Sequence, residues 1–208
     1  MHAKPDLRVL FFLLAGLSFR LGDRCRYAAL SIMELPTFRY HPDPIASGAI
    51  VRENATCVCC ERVVDHVYVA SAYSIHEFDR NLCPWCIADG TAHKKFDVEF
   101  CDSYPLQNAG INESIIAQVT SRTPGYISWQ QEEWLSHCDD ACAFLGDATS
   151  ETIRNMTPKE MAPLCADHGV DAEWFAKVAD TYEPGGQPAI YHFKCLVCNS
   201  NLFGMDYT

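Results

Sequence analysis

The sequence predicts an α+β fold in which zinc-ribbon-like knuckles ride on short β-hairpins, with a few short helices. Three observations lead to it. Cysteines fall in tight pairs, Cys57/Cys60, Cys83/Cys86, Cys138/Cys142 and Cys195/Cys198. Runs rich in Val, Ile, Tyr and Phe are short and end at turn residues, as strands of small sheets do. Helical periodicity is confined to short segments with their own start and stop signals.

Taken in chain order, residues 1–32 stand apart. "VLFFLLAGLSF" (9–19) is an apolar run behind a basic start, too short to cross a bilayer and of the length of a signal-peptide core. "RLGDRCRYAAL" follows it, basic where a cleavage region is small and neutral. Met33 then opens "MELPTFRYHPDP". Residues 1–32 are expected to be an over-long start or a signal-like segment, with a buried N-terminal helix as the bland alternative. Residues 33–208 are expected to form the zinc-binding domain.

"FRYHPDPIASG" (38–48) reads as extended chain ending in turns. His41 within it reads as a turn histidine, the alternative being a pairing with Asp43 in a site. "AIVRENATCVCC" leads a strand into the first cysteine pair, and "VVDHVYVASAYSI" (63–75) reads as strand or hairpin. A short helix is expected at 87–96, weakened by Gly90. "NESIIAQVTSR" (112–122) is a helix capped by Asn112 and stopped by Pro124-Gly125. A strand is expected at 126–129. Thr157, Pro158 and Glu160 supply the N-cap, first position and capping box of a helix that Pro163 should keep short. In "DAEWFAKVADTY" (171–182), Trp174, Phe175, Val178 and Tyr182 share one helical face. "AIYHFKCLVCNSNLFGMDYT" reads as strand, knuckle, strand.

The cysteine spacings carry the chemistry. Cys57, Cys60, Cys83 and Cys86 form C-x2-C-x22-C-x2-C, a tetrahedral zinc pattern in which each tight turn aims two thiolates at one ion. Cys138, Cys142, Cys195 and Cys198 form a second, looser quartet. Cys59 could replace Cys60 as a ligand, and His137 could serve beside Cys138. One or two zinc ions are therefore expected. Cys25, Cys59, Cys101 and Cys165 are left over and read as small buried hydrophobes. Two rival chemistries use the same residues. A Cys83/Cys86 dithiol could cycle with a disulfide, but no βαβ pattern surrounds "CPWC". Disulfides inside C-x2-C turns close loops too small to constrain an unfolded chain much.

No H-E-x-x-H, H-x-E, Walker A loop, G-x-S-x-G or G-x-G-x-x-G occurs, so recognised hydrolase, deaminase and nucleotide-binding motifs are absent. Hydrophobic residues are 49% and charged residues 21%, as in globular chains. Net charge is −11. Residues 1–32 hold Lys4, Arg8, Arg20, Arg24 and Arg26 against Asp6 and Asp23, a surplus of three, which leaves −14 for the rest. That balance opposes nucleic-acid binding and favours a protein partner, a basic one by preference. His93, Lys94 and Lys95 read as a solvated helix face. Trp129 and Trp134 are expected to pack on the second metal site, the alternative being that they bind something.

"LPTFRYHPDP", "CPWCIADG", "EEWLSHC" and the terminal C-x2-C resemble the CbrC family of bacterial proteins, from about Met33 to the C-terminus. The resemblance implies a bacterial, cytoplasmic protein associated with colicin tolerance, and supplies no catalytic residue. The expectation is thus a zinc-binding protein acting in protein interaction or stress and colicin tolerance, without a stable membrane span. It would be exported or membrane-associated if 1–32 is a real signal. The alternative is an enzyme, a thiol redox catalyst at Cys83/Cys86 or an unrecognised hydrolase.

Overall fold

Strand β1 (Ile50–Thr56) pairs antiparallel with β2 (Val63–Tyr68), placing Ile50 opposite Tyr68 and Thr56 opposite Val63. This and all that follows comes from a computed structural model describing residues 34–207. The readings made for 1–32, and for Cys25, fall outside those residues. Those from Leu35 onward form one compact unit. The strand at 63–75 ends at Tyr68, and only an isolated bridge from Tyr73 to Glu99 continues it. Helices α1 (Pro84–Ala88) and α2 (Thr91–Phe96) replace the single helix expected at 87–96. Gly90 separates them at φ 77, a left-handed conformation that ends a helix. Val67, Leu82, Ile87 and Phe100 fill the core between this hairpin and these helices.

Helices α3 (Tyr104–Asn108) and α4 (Glu113–Arg122) follow. The Asn112 side chain accepts the Ser114 N–H at 2.9 Å, the cap its residue type predicts. Beyond α4 the chain passes backbone to backbone: a Cβ on Gly125 would lie 2.0 Å from the Phe100 carbonyl oxygen. No strand forms at 126–129. The Trp129 and Gln130 N–H groups donate instead to the Asp206 carboxylate, at 3.0 and 3.3 Å.

Strands β3 (Ser136–His137) and β4 (Asp140–Ala141) make a hairpin of two pairs. A three-stranded antiparallel sheet, in the order β5 (Ala143–Asp147), β6 (Ala189–Lys194), β7 (Asn201–Asp206), completes the fold. Its pleat sorts two cores. Tyr191, Phe193 and Leu202 face Tyr126, Trp134 and Phe144, with Tyr126 stacked on Phe144 at 4.3 Å between centroids. Ile190, Phe203 and Met205 face the other way, toward α5 (Ser150–Arg154), α6 (Pro158–His168) and α7 (Ala172–Thr181). Aromatic pairs of the first kind add roughly 0.5–1.5 kcal/mol each beyond their buried area.

Thr157 and Glu160 form the capping box, but Pro163 does not stop α6, which runs on to His168. An interior proline costs a helix about 3 kcal/mol. Here burial of Leu164 and Cys165 against the sheet offsets it. His41 is fully buried, with Nδ1 2.9 Å from the Pro124 carbonyl and Nε2 2.7 Å from Ser47 Oγ. The carbonyl can only accept, so Nδ1 carries the proton and Nε2 accepts from the serine hydroxyl. His41 is thus a hydrogen-bonded core residue, and Asp43 instead caps its own turn through Ala46 N–H. No helix among the described residues is long and apolar enough to cross a membrane.

Candidate metal centres

The turn between β1 and β2 is a knuckle. Cys57 N–H donates to Arg62 O at 2.9 Å, and Glu61 N–H donates back to Cys57 O at 2.8 Å. Glu61 sits at φ 61 to close the turn. Cys83 is the N-cap of α1, with Pro84 at its first helical position, so Cys86 follows on the first turn of that helix. The two elements bring Cys57, Cys60, Cys83 and Cys86 together, their sulfurs all within 4.8 Å of one another. Cys57–Cys86 and Cys60–Cys83 are each 3.9 Å apart. A disulfide requires about 2.05 Å, whereas four sulfurs about 2.3 Å from one ion stand about 3.8 Å apart. The residues therefore fit a four-thiolate metal.

The surroundings offset thiolate charge. Cys83 N–H approaches Cys57 Sγ at 3.4 Å, and Arg62 Nε approaches Cys60 Sγ at 3.2 Å. Hydrogen bonding with the Cys83 thiol, helped by backbone N–H groups of Cys60, Cys83 and Cys59, holds the Cys57 thiol down at about 4 against burial. The same bond and burial push Cys83 well above the ordinary thiol value. Lys95 is not a free helix-face lysine: its Nζ donates to Cys59 O at 2.8 Å and Val58 O at 3.2 Å, bracing the knuckle. Cys59 itself is buried beside the cluster and is not one of its four converging ligands.

The second knuckle lies between β6 and β7 and repeats the first. Cys195 N–H donates to Ser200 O at 2.9 Å, and Asn199 N–H donates to Cys195 O at 3.0 Å. Facing it is the β3–β4 hairpin, whose turn residues Cys138 and Asp139 both have positive φ, 54 and 58. The converging group is His137, Cys138, Cys195 and Cys198. His137 Nδ1 lies 3.1 Å from Cys138 Sγ and 3.4 Å from Cys198 Sγ. Hydrogen bonding with Ser200 holds the Cys198 thiol down at about 6.

Cys142, expected in this quartet, does not join it. The hairpin turns on two residues, so position 142 lies beyond the returning strand, and Cys142 N–H donates to Leu135 O. Its side chain is buried in the aromatic core, and burial pushes its thiol up to about 12. His137, directly before the turn, is the residue whose ligand atom arrives. The signal was present in "HCDD", since Asp favours the left-handed conformation of such a turn. Trp134 packs in that core with its indole N–H on Cys142 O, whereas Trp129 stays half exposed and lines a groove that no cluster residue lines.

The two centres differ in access. Cys57, Cys83 and Cys86 are buried, while His137, Cys138 and Cys198 are exposed. A cavity of about 520 Å3, lined by His137, Lys159, Glu160, Asn199 and Phe203, opens beside the second centre. None of the described cysteines is in a disulfide. Two Cys/His clusters in this chain could thus hold metal ions.

The model of an uncharacterised protein family, UPF0167, matches residues 35–207. A UPF0167 protein of Pseudomonas aeruginosa is 48% identical over 175 residues, covering 84% of this chain and 98% of that protein. UPF0167 proteins of Mycobacterium bovis and Mycobacterium tuberculosis are each 37% identical over 177 residues, covering 84% of this chain and 94% of theirs. None of these relatives carries the CbrC name. No solved structure matches.

Proposed function

We propose that this protein, which belongs to the uncharacterised bacterial family UPF0167, is a zinc protein whose metals hold its fold and whose activity is recognition of a protein partner. One observation carries the reading: four sulfurs, three of them on buried residues, lie within 4.8 Å of one another, with two of the pairs at 3.9 Å. Zinc suits such a set because it accepts soft thiolates and has no redox chemistry. Cys57, Cys60, Cys83 and Cys86 would hold one ion, and His137, Cys138, Cys195 and Cys198 a second. Four thiolates fill a tetrahedral ion's coordination, so the first centre would supply folding energy rather than an open catalytic position. Thiolate ligands suit the reducing cytoplasm. The net charge of −11 supports a protein partner over nucleic acid. The CbrC resemblance supports a stress or colicin-tolerance setting. The redox alternative is weakened by burial, since Cys83 and Cys86 are 0% and 1% exposed.

The test is metal content with thiol titration on the purified full chain. The expected result is two zinc ions per chain, with the ligand thiols protected until a chelator and denaturant are added together. A metal-free chain whose Cys83 and Cys86 oxidise reversibly overturns the reading and establishes the dithiol.

A further inference from the structure

A groove of about 430 Å3, lined by none of the cluster residues, runs between the turn at 46–47, the segment 127–129 and the edge strand β5. Three features distinguish it from ordinary surface.

Its walls are apolar and open. Trp129 is 49% exposed, Ile127 53% and Leu145 46%. Leu145 owes its position to the bulge between Phe144 and Gly146, whose extra residue turns a side chain out of the sheet's alternation. Large side chains gathered on one face mark an interaction site, whereas scattered ones do not.

Its aromatic wall is anchored. The Trp129 N–H donates to Asp206 Oδ2 at 3.0 Å, and Tyr191 O–H holds the same oxygen at 2.9 Å. An aromatic on a fixed backbone loses little freedom when something binds to it.

Its one formal charge is uncompensated. The Asp147 carboxylate has no hydrogen-bond or ion-pair partner among the described residues, and no Lys, Arg or His lines the groove. Desolvation by the groove wall raises its carboxyl above the ordinary value, although the residue stays in reach of solvent. Gly185, at φ 72, stands where a Cβ would come 3.6 Å from Asp147 Oδ2. Its lack of a side chain leaves the carboxylate open.

An exposed carboxylate bordered by apolar side chains attracts a cation, and an indole face adds cation–π attraction and a bed for an aliphatic stem. We infer that this groove docks a basic segment of a partner protein, with a Lys or Arg side chain paired to Asp147 and its stem lying on Trp129. The inference rests on the reading of this chain as a protein-recognition module, and adds the place and the chemistry. Overall negative charge assists the encounter, and the apolar residues beside Asp147 select segments that alternate basic and aliphatic side chains.

The experiment uses the full-length, metal-loaded chain and a blocked peptide of alternating arginine and leucine. Its partner is the same peptide with citrulline, the neutral isostere, at every arginine. Binding is followed by tryptophan fluorescence and calorimetry at low ionic strength. The arginine peptide should bind, and the citrulline peptide should bind at least tenfold more weakly. Asp147→Asn and Trp129→Ala should each weaken arginine-peptide binding about tenfold, while Glu173→Gln, an exposed acid on α7, should not. Equal binding by all variants, no binding at all, or binding of free arginine amide as tight as that of the peptide overturns the proposal. The last of these reassigns the groove to small cations. Zinc is measured on the same samples. A chain with two zinc ions that ignores the peptide overturns the groove alone, and a zinc-free chain that binds it overturns only the metal reading.

Discussion

Glu61 and Asn199 occupy the same place in two unrelated stretches of sequence. Each follows the second cysteine of a C-x2-C pair, each has φ 61, and each donates its N–H to the carbonyl of the first cysteine, at 2.8 and 3.0 Å. Left-handed backbone costs a residue with a Cβ roughly 1 kcal/mol, less for Asn. Glu61→Gly should therefore stabilise the metal-loaded protein by roughly 0.5–1 kcal/mol, and Asn199→Gly should change it by a few tenths at most. Denaturant unfolding of the two variants, with zinc held constant, measures the difference. A loss of stability in Glu61→Gly would show that the Glu61 side chain does something the turn does not require.

His137 and Cys142 make opposite predictions about the second centre. Cys142→Ala should keep the full metal content and lose roughly 1–2 kcal/mol of stability, since it removes one small buried group from a packed core. His137→Ala should leave the fold and the first ion in place and lose most of the second. Metal analysis after gel filtration reads both. Retention of two ions by His137→Ala together with loss of one by Cys142→Ala would restore the four-cysteine ligand set expected from spacing.

His41 should make stability fall in mild acid. Burial lowers its pKa to about 4 from an ordinary 6.5, only partly countered by the Pro124 carbonyl. The charged form is therefore favoured in the unfolded chain. The contribution is complete above about pH 6.5 and is lost as pH falls through about 4, amounting to roughly 2 kcal/mol between pH 7.5 and 5. His41→Gln should be less stable at pH 7 and should lack this part of the slope. Parallel slopes for the two proteins over that range would remove His41 as the cause.

The parts of the architecture that were legible in the sequence were those set by short-range chemistry. Asn112, and Thr157 with Glu160, each accept the backbone N–H their residue type predicts. The C-x2-C pairs converge because a knuckle and the first turn of a helix are both local structures. What was not legible depended on distant partners. Residues 126–129 look like a strand until Asp206, far along the chain, takes the N–H groups of Trp129 and Gln130. Pro163 looks like a stop until the sheet beneath α6 supplies the packing that carries the helix past it. Strand β5 went unseen because "AFLGD" is brief and its bulge breaks the alternation. Cys138 with Cys142 mimicked a ligand pair because spacing alone cannot distinguish a knuckle from a hairpin tip.

The two cysteine-rich centres also set a clock. The first joins residues 29 positions apart, Cys57 to Cys86, and the second joins residues 61 apart, His137 to Cys198. Closing the longer loop costs only about 0.7 kcal/mol more in chain entropy, so the contrast lies in timing. On a ribosome the first set of ligands is complete with Cys86, 112 residues before Cys198 completes the second. The second must wait for Cys198 and for three intervening helices to find their places. Nascent chains would acquire their ions in a fixed order, and a cell short of metal would accumulate molecules with a finished front half and an open back half.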